Sequence, residues 1–481
     1  MRVRHLLLLL SIFSIAFLAS CGGGGGSSSS PLPPPPSGSG SYTNSSLNGT
    51  YAFTVNGTNG GNAFALLGVF TADGNGKITG GQQSVNDDAG GYSPASSISG
   101  TYSVSGDGRG EIDLNFSSGS AVLRFVFTST GKGRLIEFSG TENASGQIEK
   151  IDATAPATLS GTYVMRLNGD DNGGIYAAVG SLTFGASGNV TGILDENDDG
   201  SYTPSMAVTG SVTAGSSSNA GSLLLNTPNG PINLIYYVVD SSHIEVLGTD
   251  TTFHVSGYAD MQSSSGFSTA AANGSFVYAI AGLSTNGNII EVGRFTLDGS
   301  GNISAGLEDY NEVANYYPSV AFTGTYSVDA TGRMIAQFVY GGTNVNLVGW
   351  LSSSTKGVLM TTDSSLVESG VVKAQSSSLS TASLSGNYGA QLSGYYTSNV
   401  DYIAALAADG NGNLTGTADI NAGGALSTPS AAGTYSIGSN GRGTGTLSGF
   451  NVAYYAVDGT TAYFIAADPN REYLGSLQQQ Q

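Results

Sequence analysis

One five-residue pattern, met four times at nearly constant spacing, limits what this chain can become. Leu47-Asn48-Gly49-Thr50-Tyr51 returns as Leu159-Ser160-Gly161-Thr162-Tyr163, as Ala272-Asn273-Gly274-Ser275-Phe276 and as Leu384-Ser385-Gly386-Asn387-Tyr388. The glycines stand at 49, 161, 274 and 386, so the period is 112, 113 and 112 residues. A second marker keeps phase, because Gly76, Gly188, Gly301 and Gly412 fall 27, 27, 27 and 26 residues later. Solenoid repeats run about 20–50 residues, so units of this length are domains, each able to bury its own core. The reading divides the chain into β repeats at 47–155, 159–262, 272–375 and 384–477, the last shortened.

Inside a unit the apolar runs are short and bounded by turns. The stretch Phe70-Thr71-Ala72-Asp73-Gly74-Asn75-Gly76-Lys77-Ile78-Thr79-Gly80 reads as strand, tight turn, strand. Asp and Asn bond their own main chain there and Gly supplies positive φ. In the first copy strands are expected over 51–55, 63–71, 77–83, 99–105, 111–116, 121–128 and 134–139, with one more near Ile148. Gly106-Asp107-Gly108 and Thr130-Gly131-Lys132-Gly133 mark hairpin loops. Apolar runs also align between copies, as in 121–127, 232–238, 345–351 and 452–457. No stretch carries a 3.6-residue period.

The fold class is therefore all-β: four tandem antiparallel β-meander domains. Hairpin-joined strands favour small up-and-down barrels, since closure removes exposed edges. β-sandwiches are the rival. A single propeller is a third arrangement, because Gly100-Thr101-Tyr102 repeats the opening pattern 51 residues after Gly49-Thr50-Tyr51. The linkers, Ala155-Pro156-Ala157-Thr158, a stretch around Ser263-Ser264-Ser265-Gly266 and Ser376-Ser377-Ser378, are short and polar. They predict a string of domains with limited bending.

The N-terminus carries an address. Arg2, Arg4 and His5 precede an apolar run from Leu6 to Leu18, which ends in Leu18-Ala19-Ser20-Cys21. The run is short for a membrane span and ends in small residues, as an export signal does. This segment resembles a bacterial lipoprotein signal peptide (type II, with a lipobox). The resemblance implies cleavage after residue 20, lipidation of Cys21 with fatty acids such as palmitate, and anchorage to the lipid bilayer. Gly22 in place of Asp implies, by the same family's rule, the outer membrane, with the periplasmic and surface sides both open. Cys21 is the only cysteine in 481 residues, so it has no internal disulfide partner. Residues 21–46, rich in Gly, Ser and Pro, lack an apolar period and read as a disordered tether.

Loss of Arg2 and Arg4 leaves 13 Lys and Arg against 34 Asp and Glu, a net charge of −21. Such a field repels phosphate backbones, which disfavours nucleic acid as a partner. The best candidate for bound chemistry is Asp195-Glu196-Asn197-Asp198-Asp199-Gly200, which matches the D-x-N-x-D-G opening of a calcium loop. Asp195, Asn197 and Asp199 are the candidate ligands, and Asp170-Asp171-Asn172-Gly173 could complete the set only if the fold brings it close. The twelfth loop position is Met206 rather than Glu, and an acidic hairpin turn explains the same residues.

Catalysis lacks a constellation: His243 and His254 occur in one copy alone, no nucleophile elbow is present, and paired carboxylates are adjacent turn residues. Arg109, Arg333 and Arg442 share one turn-adjacent position, with Ala220 in the second copy, and read as structural, bonding loop carbonyls or a nearby carboxylate. Tyr92, Tyr202 and Tyr317 recur beside Pro94, Pro204 and Pro318 and suit either packing or stacking on sugars.

Three function classes stay open. A non-catalytic surface binding or adhesion protein would engage a glycan or surface protein and gain from repeated sites. The Gly-Thr-Tyr start and meander pattern resemble lipocalins and avidins, which implies a small-ligand carrier. A structural envelope spacer needs no ligand.

Overall fold

The structure is a computed structural model that describes residues 42–481 apart from 89, 140–141, 157, 172–173, 216–218, 264–265 and 314. The expected signal segment, Cys21 and the tether as far as residue 41 lie outside the described residues. Apart from two 3-10 turns, Asn44–Ser46 and Thr381–Ser383, the regular structure described is strand. No described helix is long and apolar enough to cross a membrane.

The first unit forms strands β1 (Asn48–Asn59), β2 (Asn62–Asp73), β3 (Lys77–Asp87), β4 (Gly91–Val104), β5 (Arg109–Phe116), β6 (Gly119–Ser129), β7 (Lys132–Glu137) and β8 (Glu142–Lys150). Each pairs antiparallel with the next, and β8 returns to β1 through Phe53↔Ile148 and Val55↔Gly146, closing an up-and-down barrel. Barrel 2 runs from Gly161–Asp171 to Phe253–Met261 and barrel 3 from Asn273–Ser284 to Leu366–Ala374. Barrel 4 runs from Ser385–Tyr395 to Glu472–Gln479, closed by the pairing of Asn399–Asp409 with Asn413–Ala422, and carries a short extra strand, Ala425–Ser427.

Local chemistry explains the elements. Asp73 Oδ1 accepts the N–H groups of Asn75 (2.7 Å) and Lys77 (3.0 Å), and Asp298 and Asp409 repeat this in barrels 3 and 4. Gly76 at φ 103° completes that turn. Along β1, Tyr51, Phe53 and Val55 point into the barrel, following the two-residue period of a strand. The second Gly-Thr-Tyr is part of β4, not the start of a propeller blade. A Cβ on Gly100 would lie 1.9 Å from the carbonyl oxygen of Asp113 on β5. Tyr102 turns inward and donates its hydroxyl to Leu47 O at 2.8 Å, as Tyr326 does to Ala272 O and Tyr435 to Leu384 O. In these three barrels the tyrosine locks the entering segment to its own barrel, and barrel 2 has Val212 at that position.

The four barrels form a closed ring rather than the expected string. Ala52 and Leu67, on the outer face of β1 and β2, pack against Tyr237 and Leu247 of barrel 2. The same faces repeat as Val164 and Val179 of barrel 2 against Trp350 and Met360 of barrel 3. Val277 and Val292 of barrel 3 meet Tyr455 and Ile465 of barrel 4. Ile403 and Ala405 of barrel 4 then meet Val126 and Ile136 of barrel 1, which closes the cycle. A head-to-tail interface whose rotation closes makes a ring, here within one chain.

The linkers are also tied down. Asp152, Ser263 and Ser376 donate their N–H groups to Val239, Ser352 and Val457 of the following barrel. Gln262 and Gln375 reach the same neighbours with their side chains, and Gln480, just after the last strand of barrel 4, reaches Asp107 O of barrel 1 at 3.0 Å.

Candidate functional site

The residues singled out for calcium lie at the joints of this ring. The third strand of barrel 2, Asn189–Asp198, alternates faces: Asp195 and Asn197 look outward to barrel 3, while Glu196 and Asp198 look into their own barrel. Asp195 is fully buried. Its carboxylate accepts Arg333 Nε (2.8 Å), Trp350 Nε1 (2.9 Å), the Tyr202 hydroxyl (2.9 Å) and the Ser205 N–H (3.0 Å). Burial pushes this carboxyl up, but the bonds from Arg333, Ser205 and Trp350 outweigh it and hold the group below its ordinary value. Asn197 donates to the Thr361 and Leu366 carbonyls of barrel 3. Asp199 sits in the following turn at φ 48°. Strand alternation thus puts Asp195 and Asn197 on one face and commits both to barrel 3, while Asp199 lies beyond the strand's end.

Every joint repeats the asparagine. Asn86, Asn197, Asn311 and Asn421, all fully buried, bond carbonyls beside the seventh and eighth strands of the next barrel. Three joints also have the ion pair. Asp309 takes Arg442 (Nε 2.7 Å) and the hydroxyls of Tyr316 and Tyr455. Asp419 takes Arg109 (3.0 Å) and Arg124 (3.1 Å) across the closing joint. The recurring arginines do meet a nearby carboxylate, and it belongs to the preceding barrel of the ring. The joint between barrels 1 and 2 has Ser84 in place of the acid and Ala220 in place of the arginine, so the two losses complement each other. There Gln82 donates to the Tyr237 hydroxyl instead, at 2.7 Å. Of the tyrosines near Pro204 and Pro318, Tyr202 and Tyr316 serve the joints; Tyr317 stacks on Tyr310 with ring centroids 4.4 Å apart.

Two open concave surfaces are lined by acidic side chains. The mouth of barrel 2 is a pocket of about 420 Å³ that gathers Asp171, Glu196, Asp198 and Asp250. Burial, then Asp171 and Glu196, push the Asp198 carboxyl up. This is where the fold brings the second acidic turn, through Asp171, toward the first. The other is a bowl of about 410 Å³ where barrels 1, 3 and 4 meet near the ring's centre. Asn56, Asn143, Asn288, Asn399, Asp401 and Tyr395 line it, and Tyr395 is 44% exposed. Burial raises the Asp401 carboxyl to about 6 although Ser393, Asn143 and Ser145 donate to it. Asn56 Oδ1 is buried and accepts no hydrogen bond.

Sequence reasoning missed a third feature, inside barrel 3. Glu291, Glu308 and Glu368 face its interior, at register positions held by Leu66, Gln83 and Ala144 in barrel 1 and by Ala178, Leu194 and Val255 in barrel 2. Barrel 4 has Tyr402, Ala418 and Tyr473 there. Glu308 accepts the hydroxyls of Tyr278 and Tyr340 and is pushed up to about 7 by burial. Burial, then Glu368, raise Glu291, and burial, then Glu308, raise Glu368. Both Glu368 oxygens are buried without a hydrogen-bond partner. Aligning the repeats strand by strand exposes this acidic interior, because only the third copy carries glutamate at these three positions.

No known protein family matches the chain, and no curated protein does. Among solved structures, kievitone hydratase from Nectria haematococca is similar over 68% of this chain and 91% of its own, at 10% identity and a TM-score of 0.18. So loose a superposition carries no argument about function.

Proposed function

We propose that this protein is a non-catalytic, lipid-anchored binding protein of the cell envelope, tethered to the outer membrane through Cys21, whose ring presents the axial bowl to a glycan. The observation that carries the reading is the bowl itself: a concavity built jointly by barrels 1, 3 and 4. Four barrels strung end to end would give a spacer its reach, and closing them gives that up for a composite surface. The lining fits sugar hydroxyls, since amides and carboxylates offer paired donors and acceptors and an exposed tyrosine offers a stacking face.

A carrier needs interior space, and the void at the floor of barrel 4, between Leu384, Tyr388 and Tyr454, has no room for a water molecule.

The test is a glycan panel probed with the soluble fragment beginning at Ser41, beside Tyr395→Ala and Asn399→Ala. Binding that weakens at least tenfold in both variants supports the bowl; no binding, or binding indifferent to both, overturns it. Palmitate labelling that disappears in Cys21→Ser tests the anchor separately.

A further inference from the structure

Where barrels 1 and 2 meet, away from the bowl and the joint asparagines, one histidine is surrounded by three carboxylates. His243 and Glu245 lie two residues apart on the seventh strand of barrel 2, His243–Gly248, and so share a face. Asp260 is paired directly opposite His243 on the eighth strand, and Glu149 arrives from β8 of barrel 1. His243 Nδ1 is 2.8 Å from Asp260 Oδ1, which fixes the ring. Its Nε2 is thereby aimed at Glu245 Oε1, 2.9 Å away, and Glu149 Oε2, 3.6 Å away.

We propose that His243 Nε2, Glu245 and Glu149 form a binding site for a zinc-type divalent cation that staples barrel 1 to barrel 2. The ligand atoms of these three residues all lie within 4.8 Å of one another. Zinc bonds to nitrogen and carboxylate oxygen run about 2.0–2.2 Å, so the edges of its tetrahedron are roughly 3.4 Å, between the two distances measured from Nε2. A nitrogen ligand suits zinc better than calcium, which takes oxygens.

Two further observations point to a ligand. Glu149 Oε2 is a buried atom without a hydrogen-bond partner, in a residue 8% exposed, and it faces Nε2. Its other oxygen is held by Lys132 (2.9 Å). The outer partners of a histidine–zinc site are also present: Asp260 on Nδ1, itself held by Lys356 of barrel 3 (2.6 Å), and Gln147 on Glu245. The site has a structural use, because this is the one joint that lacks the buried aspartate and arginine.

The fragment beginning at Ser41 holds two histidines, His243 and His254, so their ring signals can be followed individually by NMR. Zinc chloride, added alone to chelator-stripped fragment, should bind once per chain, move the His243 ring signals and leave those of His254, and raise the melting temperature. Calorimetry on Glu149→Gln and His243→Gln should show affinity at least tenfold weaker in each. Zinc that leaves the His243 signals unmoved in the unmodified fragment overturns the proposal whatever the variants do, as does binding that both variants retain at full strength.

Discussion

Removing the carboxylate that closes the ring gives the account a number. Asp419 and Arg109 are 310 residues apart in sequence, both are fully buried, and they meet at 3.0 Å between barrels 4 and 1. With charge centres near 4 Å and an effective dielectric constant of about 20, their attraction is about 4 kcal/mol. Arg109 keeps Asp107 at 2.9 Å and Asp419 keeps Arg124 at 3.1 Å, so part of this survives either deletion. A coupling energy of about 2–3 kcal/mol is therefore expected from a double-mutant cycle of Asp419→Ala and Arg109→Ala. The assay is urea unfolding of the fragment beginning at Ser41 and its three variants. Each single change should cost about 3–5 kcal/mol, because a buried charge loses its partner. Residues on separate barrels of a string do not couple, so a cycle that closes within about 0.5 kcal/mol would refute the reasoning.

The other joints and the third barrel make further predictions. Asp195→Ala should destabilise by about 3 kcal/mol through the unpaired Arg333, by the same amount in EDTA as in calcium; a loss seen only with calcium would return Asp195 to the role of ligand. Ser84→Asp and Ala220→Arg should each lower stability alone and partly restore it together, read in the same urea titration, since they rebuild at the first joint the pair that the other three contain. Glu308, raised from 4.5 to about 7, holds a proton in the folded state that the unfolded chain gives up, so its contribution to stability is full below about pH 4.5 and is lost as pH rises through 7. The loss amounts to about 3 kcal/mol, with Glu291 and Glu368 acting in the same direction. Urea midpoints should thus fall from pH 5 to pH 8, and the fall should shrink in Glu308→Gln.

The barrels were legible because turns and repeats are local. The markers at Gly49 and Gly76 phase all four units, the Asp73 turn recurs in the third and fourth, and the eight strands expected in the first copy are the eight that form. The ring was not read from the sequence because its evidence lies on the faces turned away from each barrel's core. The signal was present in the runs 121–127, 232–238, 345–351 and 452–457, which do not alternate as a strand with one wet face would. Such runs belong to strands buried on both sides, here β6 and its counterparts, with the neighbouring barrel on the second side. The same two-residue period decides where the candidate calcium ligands point. Residues 195 and 197 share a face, but it is the face that meets barrel 3, and the inward acids are 196 and 198. The recurrence of Arg109, Arg333 and Arg442 pointed to a carboxylate, whereas only the closed ring reveals which one. The acidic interior of barrel 3 is invisible to motif reading, since Glu291, Glu308 and Glu368 come from three separate strands.

Ring closure can be tested with two atoms. Ser145 Oγ on β8 and Ser393 Oγ on the first strand of barrel 4 are 2.6 Å apart, and the fragment beginning at Ser41 has no cysteine of its own. Ser145→Cys with Ser393→Cys should therefore oxidise to an intrachain disulfide under mild conditions, giving a monomer that migrates faster on a non-reducing gel and regains its mobility on reduction. Two free thiols, or disulfides formed only between chains, would contradict the ring.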